Sequence, residues 1–149
     1  MIGRRGLGLT LAAAATPVAA AAKPGMPGES AFVEHRLALQ ISEASPGLQT
    51  TVINNAFNVL TSYGPDKVAI EIVTFAGGID LLRIGNKESE RIAGLVKQGV
   101  IFDACENTMA AFERRTGKPF PRNPMSRPVP SGVVHLITLS EHGYTIIRP

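Results

Sequence analysis

A three-layer α/β/α domain around a mostly parallel sheet of four to five strands is the fold class that this sequence predicts, and three observations carry it. Apolar, β-branched runs alternate with helical patterns over residues 35–149. Several of the helical patterns stop at a glycine before the next apolar run. The chain has 149 residues, 44% of them hydrophobic, which suffices for one core rather than two domains. Strands separated by helices at this spacing imply parallel pairing, right-handed crossovers and helices on both faces.

The elements follow in order. Residues 36–42 alternate apolar with small or polar side chains and read as a strand. Ser45-Pro46-Gly47 opens a helix that places Leu48, Val52, Ala56, Val59 and Leu60 on one face and ends at Tyr63-Gly64-Pro65. Residues 67–75, rich in β-branched types, form a buried strand closed by Gly77-Gly78. Residues 79–84 make a short apolar turn or helix. After Gly85-Asn86, residues 88–98 resume a helix with Ile92, Leu95 and Val96 inward. A third strand over 100–104 runs into Cys105-Glu106-Asn107-Thr108, with Asn107 or Thr108 as the expected cap of a helix over 109–115. Residues 118–130 carry five prolines and are expected to be an irregular surface connection. Ser131 is placed to cap a last helix over 132–141, and 144–147 close the domain as a short strand.

Residues 1–22 have the layout of a signal peptide: a short basic start with Arg4-Arg5, an apolar Ala-rich run, and small-x-small cleavage positions. The apolar run is broken by Gly8, Thr10, Thr16 and Pro17 and falls short of the roughly 20 residues that span a bilayer, so cleavage rather than anchoring is expected. The twin-arginine route and general secretion both remain open, and either leads to the periplasm. Residues 23–34 read as a flexible lead-in. Setting aside Arg4 and Arg5, the 15 basic residues become 13 against 12 acidic ones, so the charge gives no support for nucleic-acid binding.

Cys105 is the one residue that stands out chemically. A single cysteine excludes an intrachain disulfide. It lies at a strand's carboxyl end, where ligands gather in parallel sheets, and just ahead of a helix whose free N–H groups favour a thiolate. Asp103 and Glu106 oppose that ionisation if they face the sulfur. A small buried filler and a functional thiol are both compatible with the pattern. Asn107 and Thr108 are the supporting candidates. Asn55, near the apolar face of its helix, and Gly77, Gly78 and Gly132 are candidate residues of a cleft at the same edge. Asn55 also reads as a structural amide, and Gly77-Gly78 as a plain turn lacking a dinucleotide fingerprint. His35, His135 and His142 have no ligand spacing, so neither metal nor cofactor is expected. His142 suits a helix C-terminus, and His135 reads as a helix-surface or packing residue.

Residues 67–75, the strand-Cys105-Glu106-Asn107-Thr108 junction, the Val129-Pro130-Ser131-Gly132-Val133 segment, the Glu141-His142-Gly143-Tyr144 segment with the final Ile147-Arg148-Pro149, and Asn54-Asn55-Ala56 resemble the DsrE/DsrF-like family of small sulfur-relay proteins. The resemblance covers roughly residues 35–149. It implies the three-layer fold, homotrimers or hexamers, and a cysteine that accepts persulfide sulfur and passes it to an acceptor thiol. Carried over by motif, that cysteine is Cys105. The export-type N-terminus and the Pro-rich 118–130 connection depart from the characterised members. The alternative is a non-catalytic oligomeric module that binds a small ligand between subunits, with Cys105 merely packed or paired with a neighbouring subunit's cysteine.

Overall fold

The computed structural model describes residues 23–149; the expected signal peptide lies outside them. Five strands form one wholly parallel sheet in the order β4-β3-β2-β1-β5. They are β1 (His35–Ile41), β2 (Val68–Thr74), β3 (Ile101–Cys105), β4 (Arg127–Val129) and β5 (Thr145–Ile147). The helices are α1 (Pro46–Tyr63), α2 (Ser89–Lys97), α3 (Glu106–Thr116) and α4 (Gly132–Glu141), with a 3-10 segment at Ala76–Leu82. Among the described residues no helix is long and apolar enough to cross a membrane.

The topology explains the layers. From β1 to β4 the chain steps across the sheet in one direction, so right-handed crossovers put α1, the 3-10 segment, α2 and α3 on one face. The β4-to-β5 connection runs back the other way, and the same handedness puts α4 on the opposite face. Side-chain alternation sorts the strands accordingly. Leu37, Leu39, Ile41, Ile70, Ile72 and Phe102 enter the larger core with Val52, Ile53, Ile92 and Leu95. Ala38 and Val73 meet Leu136, Leu139 and Tyr144 in a smaller core under α4. By the register of the pairs, Glu71, Asp103, Cys105 and Arg127 belong to that smaller face.

Four local expectations need correction. The Pro-rich connection contains β4, which extends the sheet at its edge; Pro128 is tolerated because an edge strand has one side with no ladder bonds to make. The third helix begins at Glu106, so Cys105 itself occupies the cap position rather than Asn107 or Thr108. Ser131 does cap α4 in position, but its hydroxyl makes no capping bond. The lead-in, read as flexible, lies against the sheet: Lys23 Nζ donates to the Ser140 carbonyl, and the largely buried Glu29 accepts from Arg36 Nε at 2.7 Å and from the Tyr144 hydroxyl at 3.0 Å. Charge pairing under Tyr144 holds a segment whose composition alone suggests a linker.

Gly78 is required by close approach, because a Cβ there would stand 2.1 Å from the Ile41 carbonyl oxygen. Gly78→Ala is expected to destabilise the protein by about 2 kcal/mol or more, since backbone on both sides has to move. Gly94, inside α2 with open space around it, is the control: Gly94→Ala should stabilise by up to about 1 kcal/mol. Urea denaturation of both variants checks the pair.

Candidate functional site

In a doubly wound parallel sheet, a crevice opens where two neighbouring strands send their connections to opposite faces. Here that point is between β3, which exits into α3, and β4, which exits into α4. Cys105 ends β3 at this position and pairs with Val129, at the end of β4. Two helix N-termini therefore meet beside one sulfur, each bringing unpaired N–H groups and the positive end of a helix dipole.

The surroundings of the sulfur follow from that convergence. Burial pushes the Cys105 thiol pKa up, but the Thr108 hydroxyl and the N–H groups of Gly132, Thr108 and Asn107 outweigh it and bring the thiol below its ordinary value. The Cys105 side chain makes no capping bond to α3, and the Asn107 N–H also donates to the Pro130 carbonyl at 3.3 Å, across the gap between β3 and β4. Thr108 is oriented by a second bond, because its Oγ1 accepts the Ala76 N–H at 3.0 Å, which leaves its own proton for the sulfur. Ala76 holds φ of 47°, a left-handed conformation rare for a residue with a side chain, just past the end of β2. Gly132 comes close because it has no Cβ: one would lie 2.9 Å from Phe75 Cδ1. The site is therefore preorganised for an anionic sulfur. It is also nearly closed, since Cys105 is only 4% exposed.

The expected site residues are partly brought together. Cys105, Asn107, Thr108 and Gly132 form one cluster. Gly77 lines a neighbouring cleft of about 560 Å³ with Asn107 and Thr108, and Gly78 packs beneath the carboxyl end of β1. Asn55 does not join them: ten residues past the α1 cap, it is about 15 Å along the helix axis from the sheet's carboxyl edge. His142 behaves as expected, with Nδ1 donating to the Thr138 carbonyl at 2.8 Å in the last turn of α4.

His135 does not behave as expected. It faces the sheet and takes part in an ion cluster with residues from three strands. Its Nε2 lies 2.7 Å from Glu71 Oε2 and 3.3 Å from Asp103 Oδ2. Arg127 donates through Nε to Asp103 Oδ1 at 2.8 Å and through Nη2 to Glu71 Oε2 at 3.0 Å. Both carboxylates are buried, Glu71 at 1% and Asp103 at 0% exposure. Burial raises the Glu71 pKa. At Asp103, bonds from His135, Glu71 and Arg127 overcome burial and lower it. Bonds to Asp103 and Glu71 raise His135 to about 9, so at neutral pH it is an imidazolium. Arg127 and the imidazolium thus both engage Asp103, which is held in the cluster by these two cations. Glu106, the other anion near the sulfur in sequence, is exposed.

Glu71, Asp103 and His135 each bring a donor atom to within 4.8 Å of the others, so among the described residues they are the set with cation-binding spacing. Arg127 already occupies both acids, at 2.8 Å from Asp103 Oδ1 and 3.0 Å from Glu71 Oε2. Sequence reading missed the cluster because it treated each histidine alone. The available signal was an acidic residue in each of two strands otherwise apolar on both faces, which needs a buried partner.

No protein-family model and no curated protein matches this chain. Among solved structures it is similar to MTH1491, a protein of unknown function from Methanobacterium thermoautotrophicum. The two share 28% identity over 78% of this chain and 100% of that one, with a TM-score of 0.70.

The His135 pKa sets a pH window. A folded-state value above the ordinary 6.5 means that protonation stabilises the fold; the contribution is complete below about pH 6.5 and is lost as pH rises through about 9. Denaturation midpoints of the wild type should fall between pH 7 and 9.5 more steeply than those of His135→Gln. At pH 7 that variant should lose about 3 kcal/mol, the scale for breaking a buried ion pair.

Proposed function

We propose that this protein is a periplasmic, exported sulfur-handling protein in which Cys105 accepts sulfane sulfur and passes it on. The observation that carries the reading is the placement of the lone thiol where two helix N-termini converge. That arrangement lowers a thiol pKa without a metal, and it suits an anionic persulfide as well as a thiolate. The resemblance of the strand-Cys105-Glu106-Asn107-Thr108 junction to the DsrE/DsrF-like family supports the same reading. In the first step, the Cys105 thiolate attacks the outer sulfur of a donor such as thiosulfate. A sulfur–sulfur bond forms to Sγ, and the bond from that sulfur to the sulfonyl group breaks, its electron pair leaving with sulfite. An acceptor thiolate then attacks the terminal sulfur, and the Cys105 thiolate leaves.

Self-association is part of the proposal. α4 turns Val133, Val134 and Ile137 outward, with Val134 at 61% exposure, and edge strand β5 exposes Ile146 and Ile147. An apolar stripe of this kind on an outer helix suits contact with another copy, as in a trimer or hexamer.

A second reading is favoured by one observation, the burial of Cys105. In it the sulfur only packs at the junction, and the protein is a non-catalytic binding or assembly module.

Alkylation by iodoacetamide as a function of pH separates the two. The first reading expects a thiol titrating below the ordinary value of about 8.5, and a rate at pH 7 that falls about tenfold in Thr108→Val through loss of one hydrogen bond to a charged group. Intact mass after thiosulfate or polysulfide should then show a reductant-labile gain of one sulfur atom, absent in Cys105→Ser. Slow alkylation with an unshifted titration and no adduct supports the packing reading. Light scattering should report an oligomer for the wild type and a smaller species for Ile137→Glu.

A further inference from the structure

The cleft beside Cys105 has an unusual balance of charge. Its far wall carries two guanidinium groups, Arg83 and Arg115, both set against one ring: Arg83 Cζ lies 5.2 Å and Arg115 Cζ 5.7 Å from the Phe112 centroid. The two cations therefore stand no farther apart than the sum of those distances. Arg83 is held further by the Phe120 ring at 4.8 Å. The one carboxylate lining the cleft, Asp80, is already engaged. Its Oδ1 accepts from Arg83 Nε at 2.7 Å and its Oδ2 from Gln49 Nε2 at 3.4 Å. The terminal nitrogens of Arg83 donate to no described residue, and Arg115 forms no ion pair with any described residue. Two like charges share one ring, and the single carboxylate lining the cleft is spent on one of the two.

The rest of the cleft states the size and shape of what would relieve them. It measures about 560 Å³, within the usual range for small-molecule sites, and Ile79, Ala111 and Phe112 give it an apolar wall. Its near end is formed by Ala76, Gly77, Asn107 and Thr108. Thr108 thus borders the cleft while its hydroxyl and N–H serve the Cys105 sulfur. Guanidinium groups match oxyanions through paired N–H donors, and exclusion of water by an aromatic ring strengthens the match.

We propose that this cleft is an organic oxyanion site of the sulfonate class, in which Arg83 and Arg115 hold the charged head and the apolar wall holds the body. The ligand assignment is independent of the sulfur-transfer reading, because Cys105 does not line the cleft and Arg115 stands ten residues past it, about 15 Å along α3. The presence of the site does not require that reading.

The test uses the full chain and an inert probe, benzenesulfonate, against its neutral analogue benzenesulfonamide, followed by amide shifts in NMR titrations. Benzenesulfonate should shift Ala76, Thr108 and Phe112, and benzenesulfonamide should bind at least tenfold more weakly. Arg115→Gln, on an exposed residue whose loss the fold tolerates, should cost about tenfold in affinity, the scale of one charge-assisted hydrogen bond. Cys105→Ser should retain binding. Equal affinity for the two probes, no loss in Arg115→Gln, or no shifts at tens of millimolar overturns the site. Binding as described with no sulfur adduct on Cys105 leaves the site standing and removes sulfur transfer.

Discussion

The constraint on which this structure turns is the meeting of two helix N-termini at the carboxyl ends of β3 and β4. It follows from handedness: once β1 to β4 advance across the sheet with their crossovers on one face, the return to β5 must pass over the other. The exits of β3 and β4 then diverge, and the gap between them is lined by N–H groups that no residue of their own helices can satisfy. Cys105 stands in that gap. Its acidity belongs less to the cysteine than to the topology.

The face under α4 shows how the same helix serves two purposes. Its first turn offers the Gly132 N–H to the sulfur, and the next inward position, His135, anchors it to the buried acids of β2 and β3. The apolar core on this side is small, consisting of Ala38, Val73, Leu136, Leu139 and Tyr144, so the ion cluster supplies much of the register between helix and sheet. Breaking one partner of such a cluster leaves an unpaired buried charge, which makes the arrangement intolerant of small displacements. The distance between the Gly132 N–H and the sulfur is held by charge on one side and by contact with Phe75 on the other.

Element by element, the helices and long strands could be read from periodicity because each buries one face against the sheet. The 18 residues of α1 place Val52, Ile53, Ala56 and Leu60 inward, and β2 is nearly buried throughout. The short pieces could not. β4 has three residues and a central proline, and it exists as a strand because β3 offers it a ladder. The α3 start was displaced because Asn107 and Thr108 have good capping side chains, whereas the sheet's end sets the actual cap at Cys105. Asn55 shares a helix with the sheet's edge but not a position along its axis.

Composition and pattern alone were enough to establish a parallel α/β sheet, its helix order and a cysteine at a strand end, since burial periodicity and glycine stops are local properties of the chain. The ion cluster of Glu71, Asp103, Arg127 and His135, the burial of the sulfur, and the pair of arginines on Phe112 emerged only once the chain was folded. Each joins residues from separate elements, up to 64 positions apart in the case of Glu71 and His135. Their energies depend on desolvation and mutual distance, which are absent from the chain until the sheet closes over them.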